Sequence, residues 1–162
     1  MSLTPWLDVE AAIWEFMRSD PDYVALELKE YAGHEGRFFP IDPDSGEIPE
    51  SMVPAIHLRL LNVKQEQATH GTWEDTLTLF GGIVCRVPPE PASASRAEFE
   101  ATVTTVRRLL TGIVARRTGF RSEYVGHYVL QNELVREIRA KRDTRPRYWA
   151  WLFQLVPTGS RS

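Results

Sequence analysis

The chain has one cysteine, Cys85, among its 162 residues. It therefore cannot close an internal disulfide or build a zinc or iron–sulfur site from several thiolates, and its cysteine usage fits maturation in a reducing compartment. No window approaches the roughly 20 apolar residues that a membrane-spanning helix needs. The opening Met1-Ser2-Leu3-Thr4-Pro5-Trp6 has neither a basic leader nor an apolar stretch of signal length. The expectation is a protein neither exported by a cleaved signal nor inserted in a bilayer.

The common catalytic and cofactor motifs are missing as well. There is no Gly-x-x-x-x-Gly-Lys-Ser/Thr loop to cradle phosphates, no Gly-x-Gly-x-x-Gly turn and no Gly-x-Ser-x-Gly elbow. His34, His57, His70 and His127 show no His-x-x-x-His or His-Glu-x-x-His spacing, so adjacent ligands on one helix face are excluded. Asp42-Pro43-Asp44-Ser45-Gly46-Glu47 resembles a calcium loop, but its glycine comes one residue early and the closing bidentate glutamate is missing. It reads as a turn. Glu74 and Asp75 are neighbours on a predicted strand and so point to opposite faces, which prevents them from sharing a proton as a catalytic dyad does. Cys85 has no histidine at a recognisable spacing and reads as a small core residue. No catalytic, cofactor-binding or metal-ligating residue is assigned, and no cofactor is expected.

What is present is an ordinary folding composition, with 43% hydrophobic and 25% charged residues. The length suits one core, so residues 1–162 are expected to form a single α+β domain with a long loop at 33–54 and a frayed tail at 157–162. Charge is distributed unevenly along the chain. Residues 1–100 hold 7 Lys and Arg against 18 Asp and Glu, and residues 101–162 hold 12 against 4, which leaves −11 and +8 within a net −3. This polarity becomes opposite-signed faces if the parts segregate in space, and plain solubility if they interleave.

Thr4-Pro5 reads as an N-cap and first helical residue, opening a helix whose stripe is Trp6, Val9, Ile13, Phe16 and Met17, with Asp8, Glu10 and Glu15 turned away. Asp20-Pro21 starts a second helical segment to about Ala32, although Val24, Leu26 and Leu28 also alternate as a strand would. Gly33, Gly36, Pro40, Pro43, Gly46, Pro49 and Pro54 break the following stretch, with Arg37 to Ile41 a short edge strand at most. Ile56, Leu58 and Leu60 alternate with His57 and Arg59, which predicts a strand to about Val63, and His70-Gly71 marks a turn.

Trp73, Leu77, Leu79, Ile83, Cys85 and Val87 fall on odd positions, which predicts a long strand over 73–87 with a bend or bulge at Gly81-Gly82. Ser95 and Glu98 fit a capping box before the helical stripe Phe99, Val103, Val106, Leu110 and Ile113, with Arg107, Arg108 and Arg116 on its far side and Gly119 ending it. Residues 123–142 lean towards strand, with Glu133 to Arg139 open to either structure. Tyr148 to Val156 is apolar on both faces, which suits a central strand or one shared between core and a subunit interface. The expected sheet is mixed and mostly antiparallel, with helices on one face.

Two sets of residues are candidates for contacts with other molecules. Arg136, Arg139, Lys141, Arg142, Arg145 and Arg147 form a basic run interrupted by Glu137 and Asp143. It suits either phosphate or the acidic part of a neighbouring subunit. Trp73, Leu77 and Leu79 supply apolar strand surface for a subunit or partner contact.

The order of elements resembles the tail terminator or tail-completion proteins of long-tailed bacteriophages. The carrying segments are Leu7 to Met17, Pro54 to Leu60, Trp73 to Val87, Arg96 to Ile113 and Asp143 to Val156. The resemblance implies a structural virion protein and not an enzyme. It implies a homohexameric ring that caps the tail tube, stops its polymerisation and meets a head-completion or neck protein. The genome would pass through the lumen without specific binding, and no membrane would be involved. The implied place is the head-proximal end of the tail in the virion, after assembly in the host cytoplasm. A neck or head-tail joining protein is the alternative in the same class, and a nucleic-acid-binding module using the arginine-rich third is the alternative from another. The loop at 33–54 is longer than in the minimal form of the family, which leaves open which surface faces the tube.

Overall fold

In the computed structural model, the backbone is described for residues 4–37, 50–69, 72–87, 92–116, 127–139 and 148–158, and the side chains for 10–33, 35–37, 51–59, 78–87, 96–111, 129–139 and 148–156. Helix α1 (Thr4–Arg18) is followed by a one-turn helix α2 (Pro21–Ala25) and strand β1 (Lys29–Ala32). Then come β2 (Ala55–Thr69), β3 (Thr72–Arg86), helix α3 (Ala92–Arg116), β4 (His127–Ile138) and β5 (Tyr148–Thr158). The strands form one sheet in the order β1-β2-β3-β5-β4, antiparallel throughout except for the parallel β1–β2 pair. The fold is α+β.

The parallel pair explains the long segment between β1 and β2. A parallel neighbour can be reached only by carrying the chain back to the end of the sheet where β1 began, which needs a crossover of a dozen or more residues. Short 3-10 turns at Gly33–Glu35 and Glu50–Met52 mark the two ends of that crossover. Its return is held against β1. Lys29 Nζ donates to the carbonyls of Ser51 (2.5 Å) and Val53 (3.3 Å), and Tyr31 Oη donates to that of Met52 (3.4 Å). The edge strand expected at Arg37 to Ile41 does not include Arg37, and 38–41 lie outside the described residues.

One face of the sheet is covered by helices. Ile56, Leu58, Leu79, Ile83, Trp149, Trp151, Phe153 and Leu155 alternate onto it and form one buried cluster with Ile13, Trp14 and Met17 of α1 and Phe99, Val106, Leu109 and Leu110 of α3. Phe99, Val103, Val106 and Leu110 follow the stripe that the spacing predicts, with the Ile113 side chain outside the described residues, but the helix begins at Ala92, so Ser95 lies inside its first turn and does not cap it. Among the described side chains of α1 the buried ones are Glu10, Ile13, Trp14 and Met17, an i, i+3, i+4, i+7 spacing that the predicted stripe missed by leaving out Trp14. Glu10, expected to face away, is only 1% exposed. It packs where Gly33 and Arg59 come close, and a Cβ on Gly33 would meet Arg59 Cβ at 3.0 Å and Glu10 Oε1 at 3.4 Å.

The second helical segment is shorter than predicted. Asp20 caps it, accepting from the backbone N–H of Asp22 (2.9 Å) and Tyr23 (3.1 Å). The chain turns out of the helix at Glu27, whose φ of 52° lies in the left-handed region, and continues as β1. Tyr23 Oη donates to Glu30 Oε2 (2.6 Å) and Arg18 Nε donates to Glu30 Oε1 (2.9 Å), so one carboxylate ties α1, α2 and β1 together. Burial, then the contact with Glu30, pushes the Tyr23 phenol well above its ordinary range.

The opposite face carries a second buried cluster of Val53, Ala55, Val84, Ile138, Tyr148 and Ala150, with Tyr31 packed against it. Both faces of β5 are thus occupied by this chain's own residues, and β5 lies between β3 and β4. The bulge expected at Gly81-Gly82 is absent, since both glycines pair in register with β2 and with β5. They are small for a different reason. A Cβ on Gly81 would lie 2.6 Å from the Phe153 ring and 2.7 Å from the His57 carbonyl oxygen. On Gly82 it would lie 2.7 Å from Leu152 Cδ2, 2.8 Å from His57 Nε2 and 2.8 Å from the Trp151 carbonyl oxygen. The irregularities fall instead in β2, between Leu60 and Asn62 and between Gln67 and Thr69, and in β4 between Gln131 and Leu134, where Asn132 has φ 54°.

Candidate subunit interface

The pairing of β2 and β3 reaches further than the rest of the sheet. β1 accompanies β2 only to Leu58, and β5 accompanies β3 only from Leu79 to Arg86. The cross-strand pairs Asn62/Thr78, Val63/Leu77, Lys64/Thr76, Gln65/Asp75, Glu66/Glu74, Gln67/Trp73 and Thr69/Thr72 have no third strand beside them among the described residues. At about 3.4 Å per residue this two-stranded ribbon is about 24 Å long. Positions 73, 75 and 77 continue the alternation of Leu79, while 74, 76 and 78 continue that of Gly82 and Val84. β5 remains paired with β4 out to Thr158 after leaving β3, so the sheet divides at Leu79/Leu155 into two ribbons.

The described surface offers a second feature at the outer strand β4. Leu134 and Val135 are 51% and 49% exposed, one on each face. Around them the edge is polar and bent. Arg107 of α3 holds Glu133 through two contacts, Nε to Oε1 at 2.8 Å and NH2 to Oε2 at 3.2 Å, which pushes the guanidinium pKa up. Asn132 Nδ2 donates to Gln154 Oε1 at 2.8 Å. A bulged, charged edge resists pairing with a stray strand.

The predicted contact residues separate as follows. Leu79 is fully buried in the helix-covered core and is withdrawn from the set, because the odd positions of β3 turn inwards wherever β5 lies alongside. Trp73 and Leu77 belong to the ribbon by register, and their side chains lie outside the described residues. Arg136 is half-buried opposite Ala150, and Arg139 is exposed, 2.7 Å from Glu137. Lys141, Arg142, Arg145 and Arg147 lie outside the described residues.

The aromatics of β5 supply no outward surface, since Tyr148, Trp149, Trp151 and Phe153 are all buried. Acid and base also meet inside the chain. Arg108 lies 3.4 Å from Asp20 and 3.5 Å from Asp22, across the divide between the acidic and basic parts of the sequence. Sequence reasoning missed Leu134 and Val135. Their signal was two adjacent apolar residues between Glu133 and Arg136, a pattern that leaves one on each face of any strand.

Tyr23, His57 and Cys85 are pushed towards their neutral forms. His57 is buried on the second face, 5.6 Å from the Phe80 ring, and burial followed by the nearby Arg59 charge lowers its pKa to about 4. Cys85 is half-buried, and burial followed by Glu98 raises its thiol to about 11. Neither is poised to exchange a proton near neutrality. Among the described residues no group of three or more His, Cys, Asp or Glu is arranged to hold a metal ion, and no helix is long and apolar enough to cross a membrane. No protein-family model and no curated protein matches this sequence.

Proposed function

We propose that this chain is a structural assembly protein of the tail-terminator kind, working as a closed ring of copies at the head-proximal end of a phage tail. The observation that carries the reading is the ribbon of Asn62–Thr69 and Thr72–Thr78, which extends about 24 Å with no third strand beside it among the described residues. A two-stranded ribbon is marginal in water by itself, and a subunit contact supplies the missing cover. The support no longer comes from the β5 aromatics, which the chain buries itself. A ring uses heterologous contacts, one patch against a different patch, and a subunit with a projecting ribbon and a separate exposed Leu134/Val135 pair has two unlike surfaces to offer. Its partners on this reading are further copies, the tail tube protein and a head-completion or neck protein.

The test is light scattering with negative-stain imaging of the purified protein, alone and with tail tubes. Rings, or rings formed on tube ends with tube growth halted, are the expected result. A strictly monomeric protein that ignores tubes refutes the reading. Rings that bind neck or head components and never tubes select the head-tail joining alternative. A nucleic-acid module would retain DNA at low salt and release it steeply as salt rises.

A further inference from the structure

We infer that the helix-free face of the sheet is a contact surface for nucleic acid, with Lys29, Arg59, Arg86 and Arg136 each meeting a backbone phosphate. The inference goes beyond the assembly reading and does not depend on it, since a ring crossed by the genome and a single copy can both make this contact.

Charge supplies the first argument. Strand alternation puts Lys29 of β1, Arg59 of β2, Arg86 of β3 and Arg136 of β4 on the face opposite α1 and α3, and no Asp or Glu among the described strand side chains shares it. The strand carboxylates turn the other way. Glu30 meets Tyr23 and Arg18, Glu133 meets Arg107 of α3, and Glu137 stands opposite Trp149. Glu66 and Glu74 keep the alternation of this face but stand on the ribbon, with Glu74 about 20 Å along β3 from Phe80.

Pairing supplies the second. The other described cations, Arg18, Arg37, Arg96, Arg107, Arg108 and Arg139, each hold a carboxylate of this chain. On the helix-free face Arg59 lies over the Phe80 ring, 5.4 Å from its centre, and Lys29 donates to the carbonyls of Ser51 and Val53, contacts that leave both charges uncancelled. Arg136 makes no ion pair among the described residues. Lys29, Arg59 and Arg86 are exposed and Arg136 is half-buried.

Spacing decides what these cations fit. Lys29, Ala55, Val84, Ala150 and Arg136 form one row across all five strands, so the two edge cations are four strand spacings apart, about 19 Å. Arg59 stands opposite Phe80, which is six residues from Arg86 on β3, about 20 Å along the strand. Ala55, Val84 and Ala150 between them are small and buried. Side chains that stand off a sheet at this spacing reach separate charges and do not close on one small anion. Duplex DNA carries one charge per about 1.7 Å of axis, so about 20 Å of it presents about 12 phosphates to the patch. Another copy of this chain is the poorer fit, because most of its described carboxylates are already held by its own arginines.

The test is fluorescence anisotropy of a labelled duplex of about 20 base pairs and mixed sequence, titrated with the full chain over a series of salt concentrations. Four phosphate contacts predict a log–log salt slope of about −3.6 for the wild type. Arg59→Gln with Arg136→Gln should flatten that slope by about 1.8 and weaken binding at low salt by on the order of tenfold. Arg96→Gln with Arg108→Gln removes the same charge from α3 and should leave slope and affinity close to wild type. Arg59→Lys with Arg136→Lys keeps the charge and should keep the binding, with thermal unfolding of every variant as the control for folding. If taking Arg59 from Phe80 loosens the fold, Arg136→Gln alone carries the comparison with half the change in slope.

A wild type that does not retain the duplex at low salt overturns the inference. So does an equal loss in the α3 variant, which traces binding to net charge. So does unchanged DNA binding with weakened self-association in Arg59→Gln with Arg136→Gln, which gives the face to another copy. Ring formation is read by light scattering without DNA, so failure of the assembly reading is seen separately.

Discussion

Acidification should weaken this fold through His57, and the size of the effect follows from where the ring lies. It is buried on the second face of the sheet, over Gly82 and beside Phe80, with Arg59 the adjacent charge on its own strand. Its folded-state pKa is about 4 against an ordinary 6.5. Above pH 6.5 both folded and unfolded chains hold His57 neutral, and it gives no pH dependence. Below that value the unfolded chain takes up a proton that the folded chain resists, so stability falls as pH drops through the window from 6.5 to about 4. At about 1.36 kcal/mol per pH unit, the loss between about pH 7.5 and 4.5 is about 2.5 kcal/mol. That is a large share of the roughly 5–15 kcal/mol by which domains are stable.

Carboxylates also titrate in this range, so the measurement is a difference. Urea unfolding of the wild type and of His57→Gln is compared at each pH, and the variant removes only the imidazole titration. With a slope of about 2 kcal/mol per molar urea, the two midpoints should converge by about 1 M as pH falls. A gap between them that is unchanged by pH would refute the argument, whatever the variant's absolute stability.

Two further outcomes follow from the same packing. Gly81→Ala and Gly82→Ala should each cost about 1–3 kcal/mol, because the new methyl group meets a backbone carbonyl oxygen as well as a side chain, and the strand cannot yield without loosening its ladder. Unchanged urea midpoints would contradict this. The Cys85 thiol, raised to about 11 from an ordinary 9.0, should react with a thiol reagent at about pH 8 on the order of a hundredfold more slowly in the native protein than in urea. Equal rates would place that sulfur in open solvent.

Much of the fold was legible because the sequence keeps its periods. Leu79, Ile83, Cys85 and Val87 of the odd-numbered set and Phe99, Val103, Val106 and Leu110 of the α3 stripe point to the core as their spacing predicts, and Asp20 caps the helix that it precedes. The misses have local causes. Val24, Leu26 and Leu28 alternate within a stretch that is helix at one end and strand at the other, with the change made at Glu27, a residue with no special left-handed preference. Glu10 is polar by type, yet it shares a helical face with Ile13, Trp14 and Met17. Gly81-Gly82 suggests a backbone bend in sequence, but the need is for room. His57 and Leu152 close over one face of the glycine pair and Phe153 over the other.

The candidate interface was harder to read than the fold, for a reason that lies in what a run of apolar strand can mean. Tyr148 to Leu155 is apolar on both faces, and periodicity cannot say whether the second face is covered by the same chain or by a neighbour. Here Tyr148 and Ala150 on the second face are buried in a cluster with Val53, Ala55, Val84 and Ile138, so the aromatics of this segment offer no free surface. The ribbon gives the opposite case. Its residues 62–69 and 72–78 look no different in sequence from strand inside the sheet, and the lengths of the neighbours, β1 ending at Ala32 and β5 parting from β3 at Leu155, leave it without a third strand among the described residues. Whether a strand can join another subunit is set by where its neighbours stop, a property of strands far away in sequence. It follows that changes at positions 62–78 should alter assembly with little effect on the core, whereas changes at Trp149, Trp151 or Phe153 should remove both together.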